Sequence, residues 1–144
     1  FSRNVLGLKD ANSTEMNEGT ANPVIDLMEE KKTISEKGGT MRLGAWKCDL
    51  KEGSLANKIY GTSTIFERHR HRYEYNNDYQ DALQNAGLTS SGTNPDTGLV
   101  EVVEIANHPF FVGVQYHPEY KSTVASPHPL FASFVSAMVA YKNK

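Results

Sequence analysis

His117 and Glu119 stand two residues apart at the end of an apolar run, in the segment Gly113-Val114-Gln115-Tyr116-His117-Pro118-Glu119. In extended backbone, residues two apart point to the same side, so this spacing predicts an imidazole and a carboxylate facing one target if strand geometry persists past Tyr116. A carboxylate beside a histidine fixes its tautomer and stabilises its protonated form, which is the arrangement needed to activate a nucleophile. Pro118 has no amide hydrogen and suits a strand end better than a ladder interior. The competing reading is a His-Pro turn with a solvated Glu119.

A pair of this kind serves a nucleophile, and the sequence holds one cysteine, Cys48. It lies in Trp46-Lys47-Cys48-Asp49-Leu50, without the glycines of a sharp strand-to-helix turn. Lys47 and Asp49 act on its thiol in opposite directions, so the local field gives no activation. Cys48 therefore reads as a structural thiol on a strand.

The run Glu67-Arg68-His69-Arg70-His71-Arg72-Tyr73-Glu74 is the second candidate. Period-two alternation places Arg68, Arg70 and Arg72 on one face and His69, His71 and Tyr73 on the other. Guanidinium forks hold phosphates or carboxylates. A nucleic-acid patch is disfavoured by the acidic flanks and a net charge of -2. A metal site using His69, His71 and His117 is disfavoured because the interleaved arginines repel a cation. His108 and His128, each beside a proline, read as turn residues.

The elements that must position these residues come from 144 residues that are 38% hydrophobic, the size and composition of one globular domain. No apolar stretch reaches membrane-spanning length, and the unpaired cysteine fits a reducing compartment, so a cytoplasmic location without membrane partners is expected. Arg3 to Leu6 reads as a helical turn closed by Gly7. Pro23 to Met28 reads as a short strand, Glu29 to Lys37 as a charged loop, and Thr40 to Leu50 as a half-buried strand in which Met41, Leu43 and Ala45 alternate with Arg42 and Gly44. Ser54 caps a short helix through Tyr60, and Asp78 another that ends at Gly87. Asn94 to Gly98 joins a hairpin of Leu88–Thr93 with Leu99–Ala106. Phe110 to Tyr116 suits a sheet interior. Leu130, Phe131, Phe134, Val135, Met138 and Val139 define a C-terminal amphipathic helix. Mixed strands and helices imply an α/β layered domain.

Four blocks then carry a resemblance: Ala11-Asn12-Ser13-Thr14-Glu15, Gly38-Gly39-Thr40-Met41-Arg42-Leu43-Gly44, Glu67 through Glu74, and Gln115-Tyr116-His117-Pro118-Glu119. In this order and spacing the chain resembles the C-terminal glutaminase domains of the CTP synthase family, a branch of the class I glutamine amidotransferases. The His-Pro-Glu segment alone would point only to the wider class. The resemblance implies a partial class I amidotransferase fold, a mixed and mainly parallel sheet flanked by helices. It implies a Cys-His-Glu triad whose last two members match His117 and Glu119, a glutamine site at Glu15, Arg72 and Tyr73, and a mobile effector segment of Gly38, Gly39, Thr40, Met41 and Arg42 linked to GTP activation.

The same resemblance implies that the Gly-x-Cys-x-Gly elbow and an N-terminal synthetase domain precede Phe1. Residues 1–144 are then the C-terminal part of an amidotransferase domain, inactive alone. The implied parent is a homotetrameric ligase that hydrolyses glutamine and uses the ammonia, with ATP and Mg, to convert UTP to CTP. No cofactor, metal or nucleic acid is expected in this segment. Other readings are a free-standing thiol hydrolase of the same fold, a noncatalytic binding module, and a basic nucleic-acid module.

Overall fold

The computed structural model describes residues 1–27 and 41–143. Two sheets organise them. A small one has the order β1-β2-β5, with β1 (Asn12–Ser13) parallel to β2 (Pro23–Asp26) and β2 antiparallel to β5 (Glu74–Tyr75). The larger has the order β4-β3-β6-β7-β8, built from β3 (Arg42–Leu50), β4 (Thr64–His71), β6 (Thr89–Thr93), β7 (Val100–Glu104) and β8 (Val112–Val114). Three α-helices accompany them: α1 (Leu55–Tyr60), α2 (Gln80–Asn85) and α3 (Pro129–Lys142).

The α/β class holds, but among the described residues β1 and β2 are the one parallel pair. The expected mainly parallel pairing gives way because every neighbouring pair of the large sheet is antiparallel: β3–β4, β6–β7 and β7–β8 are each joined by a turn or short helical excursion, while the longer connection from β4 to β6 places β6 beside β3 rather than beside β4. The predicted hairpin is β6–β7. Its turn is organised by the buried Asn94, whose Oδ1 accepts from the amides of Asp96 and Thr97 at 3.0 and 2.9 Å while Nδ2 donates to the Lys47 carbonyl.

Ser54 caps α1 as expected, accepting from the Asn57 amide at 3.0 Å. The Glu104 carboxylate supplements it, accepting from the Leu55 and Ala56 amides. Asp78 is not the cap of α2. Asn76 precedes it and takes the Asp78 amide with its own side chain, starting a 3-10 turn at Asn77–Tyr79 that runs into α2.

β8 also departs from expectation. It pairs with β7 on one side and forms the edge of the sheet among the described residues, rather than its interior.

One apolar cluster joins Cys48, Leu50, Ala56, Ile65, Val102, Tyr116 and Leu130 between the large sheet and helices α1 and α3. Gly92 lets the strands approach there, since an added Cβ would lie 2.7 Å from a Val102 methyl and 2.8 Å from the Cys48 sulfur. A second cluster of Tyr75, Leu83, Leu88 and Val100 receives Phe1, Leu6 and Ile25. The residues that lead from β8 into α3 return to the opposite edge of the sheet, where the His117 amide donates to the Arg68 carbonyl of β4 at 2.9 Å. This return places the candidate dyad.

Candidate active site

His117 and Glu119 meet, with His117 Nδ1 2.7 Å from Glu119 Oε1. The means differs from the extended alternation expected from spacing. The strand ends at Val114, and a 3-10 turn at Pro118–Lys121 folds Glu119 back toward the imidazole. Pro118 is at the start of that turn, where its missing amide hydrogen leaves no bond unmade. Tyr120 stacks on the imidazole at 5.1 Å and 26°, fixing the ring plane. The hydrogen bond from its own backbone amide, reinforced by the one to His117, holds the Glu119 carboxyl below its ordinary range. With Nδ1 directed at a carboxylate, Nε2 is left to accept a proton from a nucleophile.

Cys48 is not that nucleophile. It is fully buried in the first core cluster, and burial, reinforced by Glu101 and Asp49, pushes its thiol up to about 12.

β4 alternates as its sequence predicts. Ile65, Glu67 and His69 point inward while Phe66, Arg68 and Arg70 face out. Arg72 and Tyr73 follow the strand and are half-buried. Glu15 lies in an exposed turn after β1, its amide donating to Ser13 Oγ at 3.2 Å. The small sheet brings these regions to one end. Ser13 pairs with Ile25 and Glu74 with Asp26, so Glu15 leaves β1 at the end where Arg72 and Tyr73 enter β5. Two strand spacings separate them, roughly 10 Å. Tyr73 borders a hollow there with Thr14, Glu18 and Asp26. The dyad is tied to the same β4 strand, since Arg68, which binds the His117 amide, precedes Arg72 by four residues, no more than roughly 13 Å of chain.

Gly38, Gly39 and Thr40 of the expected effector segment lie outside the described residues. Met41 is half-buried just before β3. Arg42 is the first residue of β3 and is buried at 4% exposure. Its guanidinium reaches Glu101 at 2.7 Å and Glu74 at 3.3 Å, and its carbon lies 4.6 Å from the Trp46 ring centroid. This inverts the predicted phase of β3, where Leu43 is 58% exposed. Burial, with the positive charge of Arg42 added, depresses His69 to about 3, so it is neutral near pH 7. His69 Nδ1 lies 2.7 Å from His71 Nε2, and His71 Nδ1 lies 3.0 Å from the Tyr73 carbonyl oxygen.

Two further groups escaped sequence reasoning. His128, read as a turn residue, is indeed a cap: its Nδ1 accepts from the Leu130 amide at the start of α3. It is also 3% exposed and faces the buried Glu67 at 3.0 Å. The alternation that put His69 inward also put Glu67 inward, and that was the available clue. His108 is an exposed turn residue as expected, accepting from the Phe110 amide. Among the described residues no three His, Cys, Asp or Glu side chains converge as a metal site. No helix among them is long and apolar enough to cross a membrane.

Comparison with known proteins accords with this geometry. The profile of the family described as "Glutamine amidotransferase class-I" matches residues 11–137. A CTP synthase of Flavobacterium psychrophilum is 71% identical over 144 residues, covering all of this chain and 27% of that protein. A CTP synthase of Aquifex aeolicus is 53% identical over the same length and share. A solved structure, the Trypanosoma brucei CTPS glutaminase domain with bound acivicin, superposes with a TM-score of 0.87 at 39% identity, covering 96% of this chain and 54% of that one. The chain thus spans about a quarter of the length of the curated relatives it matches.

Proposed function

The chain belongs to the class I glutamine amidotransferase family, and we propose that it supplies the His-Glu half of the glutaminase site of a CTP synthase. The carrying observation is the 2.7 Å contact of His117 Nδ1 with Glu119, held by a turn bound to the edge of β4. It leaves Nε2 as the base for a thiol. Burial of Cys48 supports a nucleophile in the part of the relatives' length that this chain does not span.

In this reading His117 takes the thiol proton as sulfur bonds to the carboxamide carbon of glutamine. The protonated imidazole returns that proton to the leaving nitrogen as the carbon–nitrogen bond breaks, releasing ammonia and leaving a thioester. His117 then deprotonates water, which displaces the thiolate and gives glutamate. Glu119 orients the ring and offsets its charge in both stages. Arg72 suits the α-carboxylate of glutamine because its fork makes two parallel hydrogen bonds, and Glu15 suits the α-ammonium. Tyr73 completes that end of the site. The effector segment Gly38–Arg42 is proposed to take part in the response to GTP; of its residues Met41 and Arg42 are described, and Arg42 begins β3.

The parent enzyme would use the ammonia, with ATP and Mg, to aminate UTP as a homotetramer in the cytoplasm. This chain offers no converging ligand set for the metal among its described residues.

The test is His117→Ala in the complete enzyme. Glutamine-dependent CTP formation should fall by about 10²–10⁴-fold, the usual contribution of a positioned acid–base group. Synthesis from supplied ammonia should continue near its normal rate. Retention of glutamine-dependent activity by a folded His117→Ala enzyme would overturn the assignment.

A further inference from the structure

Three consecutive residues of β4 engage the segment that carries the dyad. Arg68 accepts the His117 amide through its carbonyl at 2.9 Å, and the Phe66 carbonyl accepts from Lys121 Nζ at 2.7 Å. Between them Glu67 turns its side chain inward, at 1% exposure. Its Oε1 lies 3.0 Å from His128 Nε2, 3.2 Å from the Tyr60 hydroxyl and 3.5 Å from Lys121 Nζ. The donors can be assigned. His128 Nδ1 accepts from the Leu130 amide, so Nε2 bears the proton directed at Glu67. Tyr60 donates to Glu67 and can accept from Tyr116, whose hydroxyl is 3.0 Å away.

The dyad itself lacks such support. The His117 and Glu119 side chains are 37% and 54% exposed, so core packing does not set their geometry. What sets it is the register of the turn. Tyr116 before it, Lys121 at its end and His128 beyond it all converge on the Glu67 cluster. A carboxylate this buried persists only when several donors meet it, so the cluster has little freedom to rearrange.

We infer that Glu67 is a positioning residue for the glutaminase reaction, fixing through Lys121 and His128 the turn that presents Glu119 to His117; this rests on the glutaminase reading above. Displacement of a catalytic group by about 1 Å lowers turnover by roughly a hundredfold. Loss of the Glu67 anchor should therefore act on turnover and leave glutamine binding alone.

The experiment uses the complete enzyme with Glu67→Gln, which keeps the side-chain size but removes the charge. The kcat for glutamine hydrolysis should fall about 10- to 100-fold, with KM for glutamine and the ammonia-dependent rate unchanged. Lys121→Met, at a more exposed position, should show the same selectivity. The double variant should lose no more than the larger single loss, because both act through one turn. Glu67→Asp, which retains the charge, should recover part of the rate. Wild-type kcat in folded Glu67→Gln, a loss shared by the ammonia reaction, a loss confined to KM, or additive losses in the double variant would each overturn the inference. If the unaltered enzyme releases no glutamate from glutamine, the glutaminase reading fails and this inference with it.

Discussion

Replacing Arg42 by methionine should expose how much of the fold depends on one buried cation. The guanidinium is 4% exposed and lies 2.7 Å from Glu101 and 3.3 Å from Glu74, both also buried. Methionine preserves much of the stem above Trp46 but removes the charge. Breaking a buried pair from one side typically costs about 3–5 kcal/mol, because an uncompensated carboxylate is left behind. In a chain of this length that is a fall in Tm of roughly 10–15 °C.

The deficit should also depend on pH, with a definite sign. Burial already raises the Glu101 carboxyl above its ordinary value even with Arg42 beside it, and removing the guanidinium raises it further. A raised folded-state pKa means that the folded protein binds the proton more tightly. That contribution is present below the unfolded value, near 4.5, and is lost as pH rises through the folded value. The Arg42→Met deficit should therefore be largest near pH 7.5 and shrink toward pH 5.

His69 works oppositely in the unaltered protein. Its depressed pKa, about 3, makes folding exclude a proton that the unfolded chain accepts below about 6.5, so stability should decline as pH falls through that window. Since Arg42 is one cause of that depression, the substitution should flatten this decline. Urea unfolding followed by the fluorescence of Trp46, the single tryptophan, reads the region directly. A deficit below about 1 kcal/mol, or one that is constant between pH 5 and 7.5, would refute the reasoning.

Three other outcomes follow from the site geometry. Arg72→Ala in the complete enzyme should weaken glutamine use by about 2–5 kcal/mol, the range for removing one partner of a desolvated charge pair, while ammonia-dependent synthesis survives; unchanged glutamine kinetics would make Arg72 structural. Cys48→Ala should leave glutamine-dependent activity of the complete enzyme intact, and the 144-residue chain alone should release no glutamate from glutamine; activity of that chain which vanishes with Cys48 would reverse its assignment as a structural thiol.

What the sequence made legible was local. Asn94 and Gly98 define the β6–β7 turn through bonds spanning a few residues, and Ser54 caps α1 three residues away. The C-terminal helix was readable from apolar spacing, although Phe131, Phe134, Val135, Met138 and Val139 remain exposed and only Leu130 is buried. What escaped was set by distant charge. Arg42 turns inward because Glu74 and Glu101, 32 and 59 residues onward, receive it, and the apparent apolar phase of β3 is reversed as a result. His128 meets Glu67 across 61 residues, so proximity to proline revealed its cap but not its partner. The His117 and Glu119 types pointed to the chemistry, whereas the geometry that unites them depends on a 3-10 turn that period-two reasoning does not anticipate.

The proposed division of labour along β4 explains why arginines and histidines alternate there. The strand has to do two incompatible things at each step, presenting cations outward and keeping its inner face free of unpaired charge. Neutral His69 satisfies the second demand, and Glu67 meets it at Oε1 through His128, Tyr60 and Lys121, of which Lys121 belongs to the dyad's own turn. Arg68 lies within β4 and Arg72 in the bend just after it, so in the proposed reading the anchored base and the arginine that would take the α-carboxylate are separated by no more than roughly 13 Å of chain. In the proposed reading, a substrate held at its α-carboxylate by Arg72 would have its amide delivered to a base fixed on β4. Inserting one residue between Arg68 and the strand end at His71 should reverse the facing of the β4 residues beyond it and shift Arg72 relative to His117, so glutamine hydrolysis should fall while the ammonia-dependent rate of the complete enzyme is kept.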